Sequence, residues 1–142
     1  MPGPDGRYYH GAFDWMLGPD MGVPALETGT VIEANPSTSN STQVFGGTVK
    51  IRTPDGRVLV YRHVNPSPLI HVGDHVTRGD QVATVTRWND NPGSSHAHVE
   101  LWNTESGGYN LSNATDPLPL IQSWKCGFGK KDSQQLPTLD RA

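Results

Sequence analysis

Sixteen glycines and twelve prolines punctuate a chain of 142 residues, so no apolar pattern runs far before a turn residue interrupts it. Both residue types weaken helix interiors and mark turns, and this spacing favours many short strands over a few long helices. A mainly β architecture is the expectation. The length suits one domain, able to bury most of the surface its unfolded chain exposes. We assign that domain to 1–125 and read the polar stretch 126–142 as a flexible C-terminal tail.

Residues 1–30 carry PGPDG and LGPDMGVP and read as extended segments and turns. A short strand follows around GTVIEA, closed by the polar loop NPSTSNST. GGTVKIR and RVLVYRHV flank PDG at Pro54 to Gly56, which makes a hairpin that PSP at Pro66 to Pro68 stops. Along its second strand Leu59, Tyr61 and His63 alternate with Val58, Val60 and Arg62, so strict alternation puts His63 on the Leu59/Tyr61 face. Gly73 and Gly79 turn the segment IHVGDHVTRGDQVATVTRW. After the turn-rich NDNPGSS, the period of two in HAHVELW sets His96, His98 and Glu100 on one face and Ala97, Val99 and Leu101 on the other. DPLPLIQSW then offers a short apolar segment to pack against the sheet.

A formal net charge of −3 with scattered Lys and Arg provides no footprint for phosphate backbones, so nucleic acid is not an expected partner. No apolar run approaches the roughly 18 residues of a membrane helix, and no charged-then-apolar leader opens the chain. Membrane insertion is not expected, and no signal peptide is read. The lone Cys126 has no internal disulfide partner and reads as an incidental thiol.

Taken alone, H-x-H on a strand is more often a surface or structural pair than a metal site, and H-x-x-x-D is weaker still; together they supply candidate ligands. Zinc favours imidazole nitrogen and carboxylate oxygen, and a catalytic site uses three protein ligands and keeps a fourth position open. His98 is one candidate, with His96 about 7 Å away along the strand. His10 and Asp14 in HGAFD are the others, but an extended strand would hold them about 13 Å apart. The chain must bend there, either at Gly11 and Ala12 or through a helical turn.

The succession HGAFDW, GVPALETGTVIEA, the GG-to-YRH hairpin, VGDHVTRGDQVATV and SHAHVEL resembles the lysostaphin-type (LytM-like) zinc metallopeptidases, from about His10 to Leu101, with DPLPLI similar to their closing segment. This resemblance implies a folded-over antiparallel β-sheet, barrel-sandwich-like, with Gly/Pro-rich loops forming a substrate groove. It implies one zinc ion per chain held by His10, Asp14 and His98, with His63 and His96 as catalytic histidines beside the water and the substrate carbonyl. The implied activity is endopeptidase cleavage of bacterial peptidoglycan through a zinc-activated water, on the cell wall, periplasmic or extracellular, by a monomer. A phage-encoded or virion-associated lysin fits the missing leader. Ala12, Trp15 and the WNDNPGSS turn depart from the family pattern and bear on substrate preference.

Other readings are weaker. An inactive wall- or protein-binding module of the same fold would be expected to lose a ligand, and none is lost. A swinging-arm carrier domain resembles VGDHVTRGDQVATV, but it modifies a lysine at a hairpin tip, whereas Lys50 sits mid-strand. No H-E-x-x-H helix or G-x-S-x-G elbow occurs. His71 and His75 read as solvated, and Glu100 as either a partner orienting a ligand imidazole or an exposed strand carboxylate. Tyr8, Tyr9, Trp15 and Trp88 serve either a groove or simple packing.

Overall fold

The computed structural model describes residues 2–3, 6–9, 12–36, 46–87 and 96–124, the first two stretches as backbone only. His10, Trp88, Cys126 and the tail assigned to 126–142 lie outside the described residues, as do the side chains of Tyr8 and Tyr9.

Among the described residues eleven strands form one sheet, every pairing antiparallel. They are β1 (Pro2–Gly3), β2 (Gly6–Tyr9), β3 (Ala12–Trp15), β4 (Gly22–Pro24), β5 (Gly29–Asn35), β6 (Gly47–Arg52), β7 (Val58–Pro66), β8 (His75–Val76), β9 (Gln81–Val85), β10 (Ala97–Trp102) and β11 (Ala114–Thr115). The main order is β1-β2-β3-β10-β7-β6-β5-β8, with β11 beside β10. Strand β7 branches the sheet: Val58 to Arg62 lie between β6 and β10, whereas Val64 to Pro66 pair with β9, which pairs in turn with β4. One long strand thus serves two neighbourhoods, and the sheet folds over on itself as the resemblance implied.

Turn chemistry sets the corners. Gly56, Gly73 and Gly79 all adopt positive φ in the three turns read from the sequence. Inside the fold, Phe13, Trp15, Leu59, Tyr61, Val64, Val99 and Leu101 belong to one buried cluster. Trp15 is therefore core packing and not a groove wall. A six-residue helix, α1 (Leu118–Ser123), seats Ile121 in the same cluster, which is the role read for DPLPLIQSW.

Tyr61 ties core to loop. Its buried hydroxyl accepts from the Leu26 N–H at 2.9 Å and donates to the Pro24 carbonyl at 3.0 Å. Burial pushes this phenol above its ordinary value of 10.0. Above pH 10 the unfolded chain loses this proton while the fold retains it, so stability is unaffected below the unfolded pKa near 10 and falls once pH exceeds it. Denaturant titrations should therefore show the native chain losing up to about 1.4 kcal/mol per pH unit above pH 10 relative to Tyr61→Phe. Parallel pH profiles of the two proteins would contradict this.

Candidate active site

Strands β3 and β10 place Asp14 directly opposite His98. Their register puts both side chains on the sheet face away from Phe13, Trp15 and Val99, which are in the core. Asp14 Oδ1 lies 3.2 Å from His98 Nδ1 and 3.5 Å from His96 Nε2. Ala12 to Trp15 are strand, which removes the helical-turn alternative for this part of HGAFD.

His63 corrects the alternation argument. It does not join Leu59 and Tyr61 in the core; its ring centroid lies 5.4 Å from that of His96 and 5.9 Å from that of His98, both edge-on. The cause is a β-bulge. Thr48 pairs with Arg62 and Gly47 with Val64, which leaves His63 as the extra residue, at φ 66°. The extra residue turns His63 out and lets Val64 return to the core. A glycine pair admits the distortion: a Cβ on Gly46 would overlap the Thr86 side chain and approach the His63 carbonyl carbon to 2.9 Å, and one on Gly47 would overlap the Asn35 carbonyl oxygen.

Charge is tightly paired here. His98 Nε2 lies 2.9 Å from Glu100 Oε2, and Glu100 also accepts from Arg62 Nε at 2.7 Å and Trp102 Nε1 at 2.9 Å. Glu100 is 1% exposed, so the exposed-carboxylate reading fails. Burial works to raise the Glu100 pKa, but His98, Arg62 and Trp102 outweigh it and hold the carboxyl near 2. Burial likewise opposes charging of His98, yet Asp14 and Glu100 raise its pKa to about 9. Asp14 is also partly desolvated, but His98, His96 and His63 keep its carboxyl below the ordinary range.

Does this donor set suit zinc? Among the described residues no group of three or more His, Cys, Asp or Glu side chains is placed to hold a metal ion. Two donors are nonetheless well spaced: ligands about 2.0–2.1 Å from a tetrahedral ion sit about 3.3 Å apart, close to the 3.2 Å between Asp14 Oδ1 and His98 Nδ1. The donor types fit zinc. His10, the third ligand implied by the resemblance, lies outside the described residues.

Two residues near the site were not identified from sequence. Arg62 was assigned to a face but not paired with Glu100, although opposite charges on adjacent strands were a readable signal once their register was known. Tyr109 presents its ring 6.1 Å from that of His98, from a loop whose spacing carried no periodic signal. Asn113 knits that loop together through Thr104 and Gly108. His71 and His75 are exposed, His71 standing 3.6 Å from Asp74, in keeping with solvated residues.

The chain is 38% identical over 96 residues to endolysin 2638A of Staphylococcus phage 2638A, a match covering 66% of this chain and 19% of the endolysin. The chain thus spans about a fifth of that curated relative. Among solved structures, the catalytic domain of the antimicrobial peptidase lysostaphin from Staphylococcus simulans is 23% identical, with TM-score 0.60 over 87% of this chain and 86% of that one. A point mutant of the catalytic domain of the prophage-encoded M23 protein EnpA from Enterococcus faecalis is 22% identical, with TM-score 0.57 and 82% of each chain covered. At these identities the two structures establish a shared fold, the lysostaphin-type folded-over sheet. The model of peptidase family M23 matches residues 8–112, a span that contains every site strand from β3 to β10, and this chain belongs to that family.

Proposed function

We propose that this chain is a zinc-dependent endopeptidase that hydrolyses peptide bonds in bacterial peptidoglycan. The observation that carries the reading is the opposition of Asp14 and His98 on paired strands, with His63 and His96 gathered around them. His10, Asp14 and His98 would hold one zinc ion, which when bound supplies Lewis acidity that makes water a nucleophile at neutral pH and polarises a carbonyl.

The remaining work falls to the two other imidazoles. An imidazole offers one accepting and one donating nitrogen, so it can both take and return a proton. His96 Nε2, 3.5 Å from Asp14 Oδ1, and His63, edge-on to both His96 and His98, are close enough to share one reacting centre. Their roles are to accept the proton of the attacking water, deliver it to the leaving amine and donate to the developing oxyanion. The wall substrate is supported by family membership and by the phage relative, an endolysin. The reading includes action at the cell wall by a monomer.

The test is turbidity of purified cell walls. The zinc-loaded protein should clear them, a chelator should stop clearing, and added zinc should restore it. Wall binding without clearing under every metal condition would replace the enzyme with a binding module of the same fold.

A further inference from the structure

We propose that Glu100, clamped by Arg62 and Trp102, is a positioning residue that receives His98 Nε2–H and so turns His98 Nδ1 toward Asp14 and the metal. The inference rests on the zinc reading above and goes beyond its ligand set.

Four observations lead to it. First, the torsion that rotates a histidine ring is broad and roughly two-fold, so the backbone of β10 does not by itself choose which ring edge faces Asp14. Something must choose, and the contact at the other end of the ring is Glu100 Oε2 at 2.9 Å.

Second, Glu100 is itself fixed. Arg62 approaches side-on, Nε at 2.7 Å from Oε2 and Nη2 at 3.4 Å from Oε1, while Trp102 Nε1 takes Oε1 at 2.9 Å. Two side chains thus hold both oxygens of one carboxylate, an arrangement a planar guanidinium makes directional.

Third, the clamp is braced. Lys50 Nζ stands over the Trp102 ring, 4.8 Å from its centroid, in a cation–π contact, and pairs with Glu33 at 2.9 Å.

Fourth, part of the surroundings is apolar. Val58, Val60 and Trp102 form an apolar patch on this same face, and buried ion pairs can often be replaced by apolar side chains with no loss of stability. A carboxylate 1% exposed therefore calls for a role other than cohesion. Histidine ligands commonly donate their second nitrogen to a carboxylate, which fixes ring orientation and raises ligand basicity.

The experiment compares the native chain with Glu100→Gln and Arg62→Met. Zinc dissociation constants are measured by competition with a chromophoric chelator, and the His98 ring nitrogens are followed by proton–nitrogen NMR with and without zinc. Glu100→Gln should weaken zinc binding about 10- to 100-fold and move the His98 Nε2 resonance. Arg62→Met, which leaves Trp102 on the carboxylate, should weaken it less, by severalfold. A folded Glu100→Gln protein with zinc affinity within twofold of native and an unmoved Nε2 resonance overturns the proposal. If Glu100→Gln does not fold, Arg62→Met decides, and native affinity in that variant overturns it. Failure of the native chain to take up zinc would instead defeat the peptidase reading; the zinc-free Nε2 resonance then decides, and one unmoved in a folded variant overturns the positioning role.

Discussion

Asp14→Asn and His98→Ala should each lose zinc and at least about 10³-fold of wall-clearing activity while keeping the native fold. The magnitude follows from a bound metal contributing several kcal/mol of charge stabilisation, with each 1.36 kcal/mol worth about tenfold in rate. Retention of the fold follows from what stays behind. The asparagine of the first variant would keep the strand position opposite His98, since only the side chain changes. In His98→Ala, Glu100 keeps both Arg62 and Trp102 as donors, so truncating the imidazole does not strand a buried charge. Zinc content by atomic absorption, circular dichroism and clearing rate together check the expectation. A His98→Ala protein that holds one equivalent of zinc would contradict it.

His63→Gly should separate stability from activity. His63 occupies the left-handed region at φ 66°, which costs a residue with a Cβ about 1–2 kcal/mol and costs glycine nothing. Glycine loses about 0.5–1 kcal/mol more backbone entropy on folding, so the variant should melt at or slightly above the native temperature. His63→Ala keeps the strained backbone and should be less stable than His63→Gly by about 1 kcal/mol. Both remove an imidazole from beside His96 and His98. If His63 transfers a proton, both should clear walls about 10²- to 10⁴-fold more slowly while zinc content stays near native. Activity within threefold of native in the glycine variant would remove His63 from the proton path.

The same residue marks the limit of what the sequence made legible. Period-two alternation correctly divided Ala97, Val99 and Leu101 from His98 and Glu100, and Gly56, Gly73 and Gly79 correctly marked turns. Those readings succeed because side-chain direction and positive φ are local properties. Alternation failed at His63 because a bulge inserts one residue and resets the period, and the glycines that permit it, Gly46 and Gly47, stand on another strand or just before it. Partnership across strands is non-local in the same way. The sequence placed Glu100 beside His98 but not against Arg62, since that contact depends on the register of β7 against β10. The opposition of Asp14 and His98 likewise joins residues 84 positions apart, and it was the family resemblance, not spacing, that anticipated it.

The most direct test of the account is a crystal structure of the zinc-loaded chain with anomalous diffraction at the zinc edge. The account predicts one peak, about 2.0–2.2 Å from both an Asp14 carboxylate oxygen and His98 Nδ1, with His10 completing the protein ligands and His63 and His96 off the ion. A peak bound elsewhere, or one coordinated by His98 without Asp14, would contradict it.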